Sequence, residues 1–231
     1  MDTNLTSDLP DLNLTTPTNA SSPDDIGLGR TDIIYITCEA VIGLANLLGN
    51  GVVLGAILTN RRLHTATNVF IGNLAAADVV VGALVAPCAA VTYIEMTFDF
   101  YICVLINSLI LMFTNVSILM LLSVACERFF AIRFPFLYQR VINVRSALYI
   151  NLATWLLGLA LGLVPMYGWN QGTEGYRGSC SFVNVISMSY MVYFQFFSLV
   201  VAPLFLMMLI YIYILHVVMR HQRQTKALHA R

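Results

Sequence analysis

Thirty-one residues, Cys103 to Arg133, constrain this chain most: CVLINSLILMFTNVSILMLLSVACERFFAIR. The run is apolar for over twenty residues, with a cysteine at one end and a Glu127-Arg128 pair near the other. As a helix, the stretch from Cys103 to Arg128 rises about 37 Å at ~1.5 Å per residue. That is close to a whole bilayer, headgroups included. Thr114, Asn115 and Ser117 interrupt its middle. Polar side chains at that depth are costly unless they face protein or water. One helix therefore offers an anchor on one side, a polar patch at mid-depth and an ion pair at the opposite rim. Those are the parts of a device that senses on one side of a membrane and reports on the other.

The rest of the 231-residue chain fits the same solvent. Its charged residues are 10% of the total and its hydrophobic residues 58%, whereas soluble domains carry about 25% charge. Five apolar spans follow one another, at about 33–58, 67–94, 100–126, 147–167 and 189–218, each long enough to cross. The fold class is an all-α membrane protein with its bundle over 32–219. A net charge of zero hides an asymmetry: ten of the twelve Lys and Arg fall at Arg61 and Arg62, at Arg128, Arg133, Arg140 and Arg145, and at Arg220, Arg223, Lys226 and Arg231. The positive-inside rule puts those segments in the cytoplasm and the N-terminus outside. Residues 220–231 then open a third cytoplasmic loop. No basic start with a short apolar run precedes the first span, so no cleavable signal is expected. Residues 1–31 are acidic and polar, a composition that does not fold alone. They carry glycosylation sequons at Asn4, Asn13 and Asn19. A fourth match, at Asn115, lies at mid-membrane and is rejected.

Cys103 and Cys180 both fall outside, in oxidising space, where a disulfide is favoured over free thiols. Asp78 sits in the middle of the second span. A buried acid there reads either as a cation or proton site or as polar glue between helices; the ion site is favoured. From charge alone, Arg128 is an arginine reaching for water at a helix end. Gly158 with Gly162, and Gly51 with Gly55, permit close helix approach or dimerisation; with 14 glycines in the chain, chance or internal packing is the plainer reading. Pro87, Pro165 and Pro203 suggest kinks. No catalytic or phosphate-loop pattern is present and no cofactor is implied, so an enzyme is not expected. The basic runs lack the aromatic interleaving that nucleic acid would need. A transporter usually shows repeated halves, which five unequal spans do not.

In order and at matching spacing, the chain carries Gly49-Asn50, Asn73-Leu74-Ala75-Ala76-Ala77-Asp78, Cys103, Glu127-Arg128-Phe129, Trp155, Pro203 and Tyr211. In these it resembles the rhodopsin-like seven-helix G-protein-coupled receptors. Pro165-Met166-Tyr167-Gly168-Trp169-Asn170, Ser189-Tyr190-Met191-Val192-Tyr193-Phe194, Glu39 and Cys180-Ser181-Phe182 are similar to the adenosine receptors, with traits of type 3 and type 1. The resemblance covers about residues 33–222 and implies five helices of a seven-helix bundle. It implies a ligand site in which Phe182 stacks on adenine, Ile110, Leu111 and Met191 line the pocket and Thr114 lies near the ribose. Asn115, Gln195 and Glu39 join that site. Asp78 and Ser117 would hold an allosteric sodium ion. Arg128, restrained by Glu127, would be the G-protein switch, with Phe136 on the second cytoplasmic loop.

The partners implied are extracellular adenosine, a heterotrimeric G protein of the inhibitory class, membrane lipid and a possible receptor dimer, at the plasma membrane. The chain departs from the family at Phe129, where tyrosine is usual. It also departs at Asn115, where most relatives carry Gln or His, and at Gln195, where they carry Asn. Val183 stands where most subtypes carry Glu, though type 3 also has Val. Helices six and seven are missing from the 231 residues, which leaves as alternatives a non-signalling isoform or fragment that pairs with full-length receptors, retained in the endoplasmic reticulum, and a small-molecule transporter.

Overall fold

The computed structural model describes residues 29–229; Asn4, Asn13 and Asn19 lie outside the described residues. Among the described residues, five helices are long and apolar enough to cross a membrane. They are α1 (Arg30–Thr59), α2 (Ala66–Tyr93), α3 (Phe100–Arg133), α5 (Val144–Gly162) and α6, which starts at Tyr190 and runs to His229. A short α4 (Pro135–Val141) links α3 to α5. The protein is all-α, with no strand among the described residues beyond two isolated bridges.

Polar residues start these helices where the first N–H groups need acceptors. Thr65 Oγ1 accepts from Asn68 N ahead of α2, and Asp99 accepts from Tyr101 N ahead of α3. Asn143 and Ser146 exchange hydrogen bonds as a capping box before α5. The prolines explain where helix geometry changes. Proline lacks an N–H and its ring crowds the carbonyl four residues back. Wider π turns occupy Val81–Val85, just before Pro87, and Tyr190–Val201, just before Pro203. Ala86 N–H reaches Val81 O and Ala202 N–H reaches Phe197 O, each five residues back. Pro165 opens a 3-10 turn, Val164–Tyr167, that closes at Gly168 with φ +113°.

Helix α3 is central and packs against α2, α5 and α6. Between spanning helices lipid tails remove the usual hydrophobic drive, so close backbone approach matters more. Gly158 and Gly162, one turn apart on α5, sit directly against Val116 and Met112, one turn apart on α3. A methyl group at Gly162 would overlap the Met112 backbone, and one at Gly158 the Val116 side chain. The small-residue pair of α5 is thus an internal contact, while Gly51 and Gly55 of α1 face open space.

At one end of the bundle, Phe100, Cys103, Val104, Leu111, Cys180 and Tyr190 form a buried cluster. The loop from Trp169 to Val185 is laced onto this end. Phe98 N donates to Gly178 O, Cys180 N to Met96 O, and the Tyr176 hydroxyl to Phe98 O, all at 3.0 Å. Burial, then the nearby charge of Asp99, pushes the Tyr176 phenol above its ordinary pKa, so it keeps the proton it donates. Arg128, Arg133, Arg140 and Arg145 mark the opposite, basic end.

Candidate functional site

The disulfide joins Cys103 at the top of α3 to Cys180 in the loop, with Cα atoms 5.5 Å apart. Two residues on, Phe182 enters a cavity of about 450 Å³ at the disulfide end, which Ile110, Ala89, Thr92 and the Tyr35 and Tyr93 rings also line. Tyr35 and Tyr93 stack with centroids 3.8 Å apart. Among the pocket residues expected from sequence, Phe182 and Ile110 line this space. Leu111 is buried in the cluster around the disulfide, and Phe182 and Met191 pack against that cluster. Thr114 is half-buried one turn below Ile110. Glu39 is set apart, lining a separate groove of about 390 Å³ between α1 and α2.

Below the cavity, Asn115 of α3 and Gln195 of α6 are both buried. Gln195 Nε2 donates to Asn115 Oδ1 at 2.7 Å, and Asn115 Nδ2 returns a bond to Gln195 Oε1 at 3.3 Å. Each amide thereby satisfies the other inside the bundle.

At mid-bundle, Ser117 Oγ donates to Asp78 Oδ1 at 2.9 Å. Asp78 has no cationic side chain paired with it among the described residues. A carboxylate and a hydroxyl are hard oxygen donors that fit a hard cation. No cluster of three or more His, Cys, Asp or Glu is present among the described residues, so a transition-metal centre has no ligand set here.

The basic end gathers around one carboxylate. The Glu127 side chain is 2% exposed and the Arg128 side chain 47%, with Arg128 Nε 3.6 Å from Glu127 Oε2. A buried carboxylate needs more than one long ion pair. Thr67 Oγ1 of α2 donates to Glu127 Oε1 at 2.7 Å and the Tyr138 hydroxyl of α4 donates to the same oxygen at 2.5 Å. Burial, then the bond to Glu127, pushes the Tyr138 phenol above its ordinary pKa, which keeps it a donor. Three helices are tied to a single carboxylate. Phe136, on α4, is 89% exposed. Sequence reasoning missed Thr67 and Tyr138; Tyr138 carried a weak signal, as the one phenol in the short link after Pro135.

A sequence profile described as the 7 transmembrane receptor (rhodopsin family) matches residues 49–231. The chain is 39% identical to the adenosine receptor A3 of Canis lupus familiaris over 193 residues, 81% of this chain and 62% of that receptor. It is 36% identical to the adenosine receptor A3 of Ovis aries, over 84% of this chain and 63% of the receptor. It is 37% identical to the adenosine receptor A2b of Homo sapiens, over 86% of this chain and 65% of the receptor. The chain thus spans less than two thirds of the length of these curated relatives. With a disulfide-pinned loop over a cavity at one end of five spanning helices, and a buried glutamate beside an arginine at the other, it belongs to the rhodopsin family of seven-transmembrane receptors.

Proposed function

We propose that the protein senses extracellular adenosine and activates a heterotrimeric G protein of the inhibitory class. The observation that carries this reading is the Phe182 ring at a cavity on the disulfide end of α3, the same helix that bears Glu127 and Arg128 at its basic end. A purine is a flat π-system, and an aromatic side chain is its natural partner. Ile110, Leu111 and Met191 supply apolar walls, Thr114 a hydroxyl for the ribose, and the Asn115–Gln195 pair a polar floor. Glu39 lines the separate α1–α2 groove and enters this reading through the family resemblance alone. The relatives named adenosine receptors support the ligand class.

In this reading the disulfide end and the glycosylated tail with Asn4, Asn13 and Asn19 face the outside of the plasma membrane. The basic end faces the cytoplasm. Arg128, released from Glu127, engages the G protein together with Phe136, a two-state element of the kind allostery requires. Asp78 and Ser117 would hold a sodium ion, which supplies a positive charge that this carboxylate otherwise lacks. Asp78→Asn is expected to abolish the sodium sensitivity of agonist binding; sensitivity retained in that variant would return Asp78 to a structural role.

The test uses cells without endogenous adenosine receptors. Residues 1–231 are expressed together with the part of the dog A3 receptor that the match leaves uncovered. Saturable binding of a radiolabelled adenosine antagonist, and adenosine-stimulated nucleotide exchange on an inhibitory G protein, are expected. Correctly disulfide-bonded protein at the surface that binds no adenosine ligand would refute the proposal.

A further inference from the structure

Two π segments interrupt the spanning helices among the described residues, and they differ in length. The one before Pro87, Val81–Val85, has 5 residues; the one before Pro203, Tyr190–Val201, has 12. A proline removes one N–H and crowds the carbonyl four residues back. That accounts for about one turn, the usual length of a π segment, as found in α2. It does not reach up α6 to Tyr190. Buried side chains supply the missing cause. Tyr190 and Gln195 are the buried residues of the longer segment. The Tyr190 hydroxyl donates to Leu161 O of α5 at 3.0 Å. Gln195 exchanges its two bonds with Asn115 of α3. In an α-helix five residues turn the chain through about 500°, which would set Tyr190 and Gln195 ~140° apart. A ladder of bonds to the fifth residue brings them back to one side, so both anchors face the bundle together. Ser198 Oγ fits this ladder: it donates to Tyr193 O, five residues back, at 3.1 Å, whereas Ser123 Oγ on α3 reaches Leu119 O, four back. The segment before Pro87 carries no polar side chain, and its buried residue is Gly82.

We propose that Asn115 and Gln195 are positioning residues. Their paired amides, acting with Tyr190, hold α6 in the π register above Pro203 and thereby set which face of α6 meets the disulfide-end cluster. Met191 and Phe194 pack on that cluster, and the Phe194 ring lies 5.4 Å from Tyr190 and 5.7 Å from Trp169, centroid to centroid. In an α register with Tyr190 kept in place, Gln195 turns toward lipid. Phe197, close to two α turns from Tyr190, turns inward. The proposal is independent of the adenosine reading, because it concerns the register of a helix and no ligand.

The experiment uses the whole chain in phospholipid nanodiscs, photolabelled with a diazirine-bearing hexadecane and mapped residue by residue. Phe196 and Phe197 are 53% and 52% exposed, so the unmutated chain should label both alike and leave Gln195 unlabelled. Asn115→Leu with Gln195→Met keeps the buried volume and removes both amides together, which orphans no polar group. In that variant, adducts at Phe197 should fall several-fold against those at Phe196, and adducts should appear at position 195. The exchanged pair, Asn115→Gln with Gln195→Asn, has the same two amides and the same combined length; it should label as the unmutated chain does. Cys103–Cys180 pairing and unchanged labelling of α1 check that each variant folds. An unaltered ratio of Phe197 to Phe196 adducts in the apolar variant would overturn the proposal, as would an exchanged pair that labels like the apolar one. Strong labelling of Gln195 in the unmutated chain would overturn it without any variant.

Discussion

A carboxylate with two hydrogen-bond donors on one oxygen and an arginine near the other is held hard in place. Glu127 is such a group: Thr67 and Tyr138 share Oε1 and Arg128 faces Oε2. Removing one donor leaves the helix intact and loosens the carboxylate. Tyr138→Phe is therefore expected to weaken the hold by up to about 1.5–3 kcal/mol, the range for bonds to charged groups, with Thr67 retaining part of it. In the complemented receptor, basal nucleotide exchange should rise; an unchanged basal rate would leave the Tyr138 bond without a restraining role. The sign with pH follows from the phenol. Its folded pKa lies above the ordinary 10.0, so its contribution is complete below about pH 10 and fades as pH climbs through the folded value. Spectrophotometric titration should show one late-ionising tyrosine fewer in Tyr138→Phe.

Phe182 makes a second prediction at this scale. Replacing it with alanine removes a ring that lines the cavity and packs on the disulfide cluster. On the proposed function, adenosine affinity should fall by about 1–3 kcal/mol, measured by competition with a radioligand. Unchanged affinity would take Phe182 out of the binding site.

Among elements, the contact of α3 with α5 is the most sensitive to volume. Gly162 lies against the Met112 backbone and Gly158 against Val116. Gly162→Val should push the helices apart and destabilise by about 1–3 kcal/mol, read as a lowered melting midpoint in detergent. Gly55→Val, on an open face of α1, serves as the neutral control. The sequence showed both small-residue pairs, but nothing in it said which pair meets a neighbour; that depends on how α1 and α5 are rotated in the bundle. The helices themselves were legible, because twenty apolar residues between charged ends leave few alternatives. The prolines marked three departures from α geometry, and the structure supplies their form, π turns before Pro87 and Pro203 and a 3-10 turn at Pro165. Depth placed Asp78 and Ser117 at a similar level, but their pairing came from the family resemblance; the structure joins them by a 2.9 Å hydrogen bond. The reciprocal bonds of Asn115 and Gln195 were not legible, since two amides at similar depth fix neither distance nor orientation. Thr67, a residue with no motif around it, finds Glu127 only through the register of α2 on α3.

For the whole molecule, the disulfide is the long-range tie. It joins residues 77 apart in sequence, and closing a loop of that size stabilises by about 2–4 kcal/mol. Cys180→Ser should lower thermal stability by that amount in detergent. The same tie has a second consequence, one of effective concentration. Phe182 follows Cys180 by two residues, so its chain reaches no more than ~7 Å from the anchor. Held on so short a leash, the ring is present at the cavity at a higher local concentration than the longer tether to Tyr190, eight residues on at the start of α6, would give alone. Mild reduction should then raise the dissociation constant for a nucleoside and speed its release while every residue of the cavity wall keeps its identity. The redox state of the surroundings would act as a gain control on ligand sensing, set by a bond that never touches the ligand.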